Sequence, residues 1–400
     1  MTWAERSRWL DERIAWPLVC VFVFSIPWEK SVVAPGLGTF SRLLGVCALA
    51  AAAGAAGMRG SLRAPNLALV LATCFAAWTG LTFFWSVSPA ETADRALTFA
   101  QLAVMLWLIW EICRTSARQS RLVGAYVAGA AVASILTLAR YAQGLQTYYR
   151  RYAAPGFDPN DLGLTVALSI PLALYLAARD RGFARWFYRA AVALAVAAVL
   201  LSASRTALIV TFCGFSFVLF TWRGTDRAQR VWSVILFGFL MSGMLYLAPS
   251  SSRQRLSTLP TEAAGGILHN RTQIWKAGVK ALRARPLVGV GAGAFPEAVR
   301  PRLGTPALAG HRYVAHNAYL SVLVECGLAG FALFALWLGV LAIYAWIMKP
   351  PERALWGVVL AAWAIGVTTL SWEHRKVGWL LAGLIMTEWA RSFRRDQERV

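Results

Sequence analysis

Residues 190–222 read AAVALAVAAVLLSASRTALIVTFCGFSFVLFTW, so two apolar runs are joined by little more than Ser204 and Arg205. A helix crosses a bilayer with ~20 mainly apolar residues, and with fewer where Trp or Arg anchors its ends. The runs 189–203 and 206–222 fit this description. The stretch therefore predicts two membrane-spanning helices that form a tight hairpin.

Apolar residues dominate the whole chain. Of its 400 residues, 58% are hydrophobic and 15% are charged, and nineteen are Trp. A soluble domain with a single core cannot bury so much apolar surface. We therefore expect an all-α polytopic membrane protein of about twelve spans, at residues 14–28, 41–57, 66–85, 96–113, 122–140, 161–178, 189–203, 206–222, 231–248, 317–348, 354–371 and 377–390.

Basic residues indicate the side of the membrane on which each connection lies, because short Lys- and Arg-rich connections stay in the cytoplasm. With both termini inside, twenty-one of the forty Lys and Arg residues fall on inner segments and nine on short outer connections. This topology explains the formal net charge of +21, since the basic residues form clusters between apolar runs. We expect no nucleic-acid partner.

The remaining ten basic residues belong to one long connection. We expect residues 1–248 to hold nine spans, 249–316 to form a large outer loop with short helices, and 317–400 to hold three spans and a cytoplasmic tail. The loop has only Glu262 and Glu297 as acidic residues. Its charge predicts binding of lipid phosphate or pyrophosphate, although a basic face resting on headgroups is an alternative.

Arg271 is the first candidate ligand of a phosphate. The segment 272–283 is predicted to be a short helix with Asn270 as its N-cap, and Arg271 lies with the apolar face of the first turn. A cation at a helix N-terminus is unfavourable unless an anion is bound there. The alternative is that the stem of Arg271 packs on Trp275 while its head reaches water.

Arg205 is the second candidate, because the hairpin places a permanent cation at or just below the outer membrane surface. Insertion of Arg at a helix centre costs ~2.5–3.5 kcal/mol, so charges kept near the membrane interior are usually functional or paired. A helix-end Arg that extends to the headgroups is the alternative.

His316 directly precedes the apolar run 317–348, where the loop re-enters the membrane. An imidazole with a pKa near neutrality can act there as a general base, although a lone His is often structural. His311 is five residues away, and no Cys or paired carboxylate accompanies the two histidines, so we expect no metal site. The glycines of 289–293 predict a turn rather than a phosphate-binding loop.

Four motifs within residues 155–330 resemble those of the O-antigen ligase family, which shares its architecture with O-antigen polymerases and protein O-oligosaccharyltransferases. They are Ser202-Ala-Ser-Arg205, Asn270-Arg-Thr-Gln-Ile-Trp275, Pro286-Leu-Val-Gly-Val-Gly291 with Phe295, and His316-Asn-Ala-Tyr-Leu followed by Glu325-Cys-Gly327.

The resemblance implies a GT-C-like fold and a metal-independent, inverting glycosyl transfer that needs no cofactor. The donor would be a polysaccharide on undecaprenyl pyrophosphate, and the acceptor a sugar hydroxyl of lipid A-core, at the periplasmic face of a bacterial inner membrane. The resemblance also implies roles for three residues of this chain. Arg205 and Arg271 would hold the pyrophosphate, and His316 would be the general base. Lys276, Lys280 and Arg312 are further candidate substrate ligands, and membrane lipids are expected partners.

Three alternatives stay open at this point. An O-antigen polymerase uses similar donors but tends to carry two large basic outer loops, whereas this chain has one. A protein O-oligosaccharyltransferase would use the same donor. A lipid flippase or transporter should carry ionisable residues in the middle of its spans, and here Glu325 and Glu111 are the main examples.

Overall fold

The fold is known from a computed structural model, which describes residues 2–34, 36, 38–147, 151–221, 226–243, 267–303 and 312–397. Its α-helices are α1 Trp3–Leu10, α2 Trp16–Ser25, α3 Phe40–Arg59, α4 Leu67–Leu81, α5 Pro89–Ile112, α6 Ser116–Ala142, α7 Pro159–Arg179, α8 Gly182–Ser202, α9 Arg205–Phe220, α10 Arg227–Ser242, α11 Ile267–Ala284, α12 Phe295–Val299, α13 Ala318–Ile347, α14 Glu352–Gly366 and α15 Lys376–Gln397.

Short elements complete the described part of the chain. A π-helical turn, Asp11–Ala15, joins α1 to α2, and 3-10 turns lie at Ile26–Ser31, Thr82–Trp85 and Arg300–Arg302. The strands β1 Val33–Ala34 and β2 Gly38–Thr39 pair antiparallel in a small hairpin.

Each of the twelve predicted spans coincides with one α-helix, although residue 222 of the eighth span and residues 244–248 of the ninth lie outside the described residues. Among the described residues, seven helices are long and apolar enough to cross a membrane: α3, α4 with its 3-10 turn, α5, α6, α7, α8 and α13. The chain is therefore an all-α polytopic membrane protein, as its composition predicts.

Helix α7 lies at the centre of the bundle. In its most apolar window, 94% of the residues are buried inside the protein. The sequence explains this position, because α7 is apolar on every side, and such a helix is stable only where other helices surround it. Its neighbours include α6, α8, α9 and α14. The N-terminal turn of α7 is consequently held near the centre of one end of the bundle.

At that end, connections predicted to lie on the outer side contact one another. Lys30 and Arg375 both pair with Asp161 in the first turn of α7, at 2.8 and 2.9 Å. Arg312, from the long loop, pairs with Glu91 at the start of α5 at 2.8 Å. These contacts agree with helices that alternate in direction.

Connections predicted to be inner meet at the opposite end. Arg118 pairs with Asp11 at 3.0 Å, and the hydroxyl of Tyr175 donates to Glu352 at 2.9 Å. Glu111, at the end of α5, pairs with Arg59 and Arg114 rather than lying in mid-span. Which end faces the cytoplasm stays a prediction from the distribution of Lys and Arg.

Helix α13, which coincides with the predicted span 317–348, is broken at Gly327. That residue has φ +67°, and its backbone lies against the loop segment at Leu287 and Gly289. The backbone N–H groups of Leu328 and Ala329 donate to the carbonyls of Pro286 and Leu287, at 2.9 and 3.1 Å. The break therefore fixes the outer loop to a membrane helix.

Substituting Gly327 by Ala should lower the melting temperature of the purified protein. A Cβ at this position would lie 2.4 Å from the Leu287 carbonyl oxygen, and a non-glycine residue in strained backbone costs ~1–3 kcal/mol before that clash is counted. Gly339→Ala is the control in the same helix, since its Cβ would meet no atom within 4 Å. Equal melting temperatures for the two variants would contradict the close approach.

Candidate functional site

The hairpin turn of residues 202–205 forms as predicted. Helix α8 ends at Ser202, Ala203 has left-handed backbone at φ +49°, and α9 begins at Arg205. The hydroxyl of Ser204 accepts a hydrogen bond from the N–H of Ala207 at 3.4 Å, which caps the first turn of α9. The structure thereby places Arg205 at the N-terminus of a helix, half-exposed.

Arg151 joins this turn to the N-terminal turn of α7. Its side chain is buried, its Nε donates to the carbonyl of Ser202 at 2.7 Å, and its Nη2 donates to Oδ1 of Asn160 at 2.7 Å. Both bonds satisfy a charged group that would otherwise be costly to bury. Arg151 therefore connects the hairpin turn that precedes Arg205 to the polar start of α7.

The predicted N-cap of the loop helix is wrong. Helix α11 begins at Ile267, so Asn270 and Arg271 lie inside it, and Arg271 is not at a helix N-terminus. The dipole argument for an anion at Arg271 consequently fails. The helix has one buried and one exposed face: Ile274, Ala277 and Ala281 are buried, and Lys276, Lys280 and Arg283 are exposed.

Arg271 reaches the site from the buried face of α11. Four residues on, the indole N–H of Trp275 donates to the carbonyl of Ala315 at 2.8 Å, which fixes the residue next to His316 against this helix. Residues four apart share a helix face, so Arg271 points to the same segment. Burial lowers the pKa of Arg271, and its charge acts on His316.

His316 is half-buried and has φ +48°. His is one of the few side chains that tolerate left-handed backbone, and strained residues of this kind cluster at functional sites. Asn317 follows as the N-cap of α13 and accepts from the N–H of Leu320 at 3.1 Å. His316 thus directly precedes the N-cap residue of a spanning helix.

The pKa of His316 is lowered from its usual value of 6.5. Burial is the main cause and the positive charge of Arg271 adds to it, while the negative charges of Asp158 and Asp161 oppose it. The imidazole is consequently neutral at pH 7. The site therefore combines a neutral base, a nearby guanidinium and two carboxylates.

The two carboxylates have different roles in the structure. Asp158 caps α7, because its Oδ1 accepts from the N–H groups of Asn160 and Asp161 at 2.8 and 3.4 Å. Asp161 binds Lys30 and Arg375 and accepts from the indole N–H of Trp372 at 3.0 Å. Asp158 at the N-cap followed by Pro159 in the first turn is a common sequence at a helix start.

Asp158→Asn should lower the pKa of His316 further. The substitution removes a negative charge that favours the imidazolium, whereas Asn keeps the cap on α7 because it caps helices as well as Asp. NMR titration of histidine-labelled protein in detergent measures the change. A His316 pKa that rises or stays unchanged would show that Asp158 does not act on the imidazole.

The glycine-rich segment forms a turn, as predicted, and its N–H groups are used within the protein. The N–H of Gly291 donates to the carbonyl of Glu325 at 2.9 Å, and the N–H of Gly293 donates to the Glu325 carboxylate at 2.7 Å. Glu325 is therefore a structural ligand of this turn. Arg95, the cation nearby, forms its ion pair with Glu373 at 3.5 Å.

The other candidate ligands are exposed, and one of them is already paired with carboxylates. Lys276 and Lys280 are on the exposed face of α11, and Arg312 is paired with Glu91 and Glu297, at 2.8 and 3.3 Å. His311 lies outside the described residues. Within the described ranges, no group of three or more His, Cys, Asp and Glu residues is placed to hold a metal ion.

Sequence reasoning missed Arg151 and the partners of Asp161. In the sequence, Arg151 is only one of several basic residues in the predicted outer connections. The partners of Asp161 are all more than 130 residues away from it along the chain: Lys30, Trp372 and Arg375. The sequence feature that could have indicated such residues is a charged residue in a short outer connection next to a polar turn. Only the fold shows which of these residues meet.

The fold and the site together define a polytopic membrane protein with a polar site at one end of its helices. Residues 190–335 match the sequence model of the family described as O-Antigen ligase, and this match supports assignment of the chain to that family. The matched region includes Arg205, Arg271 and His316. No curated protein matches the chain.

The match to this family supports, in broad terms, a glycosyltransferase-like activity of the O-antigen ligase or polymerase type. In general terms, it also implies a lipid-linked glycan as donor and a lipid acceptor. Lipid-linked substrates agree with a polar site at the end of a membrane bundle.

Proposed function

We propose that the protein is an O-antigen ligase, which transfers a polysaccharide from undecaprenyl pyrophosphate to a sugar hydroxyl of lipid A-core. The reaction would occur at the periplasmic face of a bacterial inner membrane, with both termini in the cytoplasm. The observation that carries the proposal is the neutral, half-buried His316 in left-handed backbone beside Arg271 and the start of α7.

The chemistry requires one proton transfer and one exchange of bonds. The acceptor hydroxyl attacks the anomeric carbon, its oxygen forms the new glycosidic bond, and the proton moves to a nitrogen of His316. The bond between the anomeric carbon and the pyrophosphate oxygen breaks, and undecaprenyl pyrophosphate leaves with the electron pair. Attack opposite to the leaving group inverts the anomeric configuration.

Arg271 and Arg205 stabilise the leaving group in this proposal. Negative charge grows on the pyrophosphate as the bond breaks, and guanidinium groups donate paired hydrogen bonds to phosphate oxygens. The half-buried position of Arg271 strengthens such an interaction, because the local dielectric constant is lower than that of water. Arg205 acts together with the N-terminus of α9, which also favours an anion. A divalent metal is not required for this neutralisation.

Lys276, Lys280 and Arg312 are proposed to act at longer range. Exposed cations raise the local concentration of an anionic lipid without contacting the reacting atoms, and salt screens this effect. A ligase is favoured over a polymerase by the single long basic connection in the sequence. A protein O-oligosaccharyltransferase would use the same residues with a different acceptor.

Cells provide the test that separates these activities. The gene for the protein is deleted in a bacterium that attaches a polysaccharide to lipid A-core. We expect long polymer to remain on the lipid carrier and none to be attached to lipid A-core, which gel electrophoresis of lipopolysaccharide measures. Loss of a polymerase would instead leave single repeat units on lipid A-core. Loss of glycan from proteins with normal lipopolysaccharide would assign the protein oligosaccharyltransferase.

A further inference from the structure

A groove of about 520 Å³ lies between α8 and α10, near the residues at which both helices begin. Its lining includes Trp186 and Arg189 of α8 and Arg227, Val231, Trp232 and Ile235 of α10. Arg189 lies ~20 Å along α8 from Ser202, because each residue of an α-helix adds ~1.5 Å. The groove is therefore separate from the hairpin turn and from the site described above.

The apolar part of the groove faces out of the bundle. Trp186, Val231 and Ile235 are 63%, 51% and 65% exposed. Helix α8 is long and apolar enough to cross a membrane, and Arg230–Phe239 of α10 is a shorter apolar stretch, so lipid would surround this surface. From Arg227 to Ile235 the groove follows ~12 Å of helix, most of the ~15 Å depth of one leaflet.

Arg189 is a buried cation in the wall of this groove, with 6% of its surface exposed. Its guanidinium carbon is 5.0 Å from the centre of the Trp186 ring and 5.7 Å from the centre of the Trp232 ring. One ring from each helix therefore contacts the same cation. An Arg can stack on aromatic rings and bind a phosphate together, because the first contact uses the face of the guanidinium and the second uses its edge.

Positive charge is in excess at this end of the groove. The segments 180–189 and 226–230 contain five Arg and two Asp residues, which gives a formal net charge of +3. Asp226 pairs at 3.5 Å with Arg185, which does not line the groove. Arg227 is exposed where the groove begins. Basic pockets between membrane helices bind anionic phospholipid headgroups, and Trp is enriched at the level of those headgroups.

We propose that this groove binds one anionic phospholipid of the surrounding membrane, with its phosphate at Arg189 and Arg227 and an acyl chain along Val231 and Ile235. The excess of cations selects a lipid with net negative charge. The exposed apolar side chains select a lipid rather than a soluble phosphate compound, because they extend from the charged end along the membrane-facing side of α10. Helix α10 packs on α8 and α9, and the lipid adds contacts between α10 and the bundle. This binding does not depend on the proposed transferase activity.

Native mass spectrometry of the purified protein in detergent counts bound lipid molecules and measures their affinity. The probe is dioleoyl phosphatidylglycerol. It is compared with dioleoyl phosphatidylcholine, which has the same chains but no net charge, and with glycerol 3-phosphate, which has the phosphate but no chains. Arg189→Gln and Arg227→Gln each remove one charge from the groove. Arg181→Gln is the matched control, since Arg181 is exposed at the same end of α8 and does not line the groove.

One molecule of phosphatidylglycerol should bind about tenfold more tightly than phosphatidylcholine. Each of the two groove variants should bind phosphatidylglycerol about tenfold more weakly, the loss expected for one hydrogen bond to a charged group. Arg181→Gln should bind it as the unmodified protein does. Val231→Trp fills the apolar part of the groove and should weaken the binding of both phospholipids.

Three results would overturn the proposal. An equal loss in Arg181→Gln and in the groove variants would show attraction to net charge rather than a site. Equal affinity for the two phospholipids would remove the selectivity for negative charge, and full competition by glycerol 3-phosphate would assign the groove to a soluble compound. If Arg189→Gln does not fold, the exposed positions decide: phosphatidylglycerol binding that is unchanged in both Arg227→Gln and Val231→Trp contradicts the site.

Discussion

Replacing His316 by Asn is expected to lower the rate of glycan transfer by ~10²–10⁴-fold, the range for loss of a general base. Asn suits this position because it tolerates the left-handed backbone that His316 adopts, so the change removes the base and adds little strain. His316→Ala should lose the same activity and also some stability. Single-turnover transfer and the melting temperature of each purified variant measure the two effects.

The same experiment separates a base from a structural histidine. A base contributes to the chemical step, so His316→Asn should keep the melting temperature and the binding of undecaprenyl pyrophosphate while the rate falls. If the variant transfers glycan at the rate of the unmodified protein, His316 is not the base. If the variant is unstable and its residual folded fraction is fully active, His316 is structural.

Arg271→Gln is expected to lower the transfer rate by ~10²–10³-fold, by analogy with the loss of one donor from an oxyanion site. The guanidinium is half-buried, and among the described residues no carboxylate forms an ion pair with it, so an incoming anion meets an uncompensated charge. Arg283→Gln, on the exposed face of the same helix, is the control and should leave the rate unchanged.

The pH dependence of Arg271→Gln gives a second readout. His316 must be neutral to accept a proton, so transfer falls as the pH drops through its pKa, which lies below 6.5 in the unmodified protein. Removing the positive charge of Arg271 raises that pKa, so the acidic limb of the pH–rate profile should move to higher pH. If the acidic limb of the pH–rate profile of Arg271→Gln stays in place and its rate is unchanged, Arg271 does not belong to the site.

The spans and the tight hairpin were predictable from sequence, because the length of an apolar run indicates a membrane-spanning helix and the polar residues between two runs mark where each helix ends. Arg205 and His316 are candidates because of their positions relative to those runs, and their roles stay predictions. The predicted position of Arg271 at a helix N-terminus is wrong, because α11 begins at Ile267, whereas its predicted place on the apolar face agrees with its half-buried side chain.

The environment of the site was not predictable. The bond of Trp275 to Ala315 and the bond of Arg151 to Ser202 join residues 40 and 51 positions apart, and the ion pair of Arg375 with Asp161 joins residues 214 apart. Such pairs depend on which helices pack side by side, and hydrophobic periodicity does not specify this. The break at Gly327 also depends on a distant segment, because the loop at Leu287 occupies the space that a side chain would need.

The central claim is that this chain transfers a lipid-linked glycan without a metal. Purified protein in detergent with EDTA should be given undecaprenyl-pyrophosphate glycan, with and without lipid A-core. We predict acceptor-dependent transfer that survives EDTA and disappears in His316→Asn and Arg271→Gln. Elongation from donor to donor without the acceptor, or no transfer by the unmodified protein, would contradict the claim.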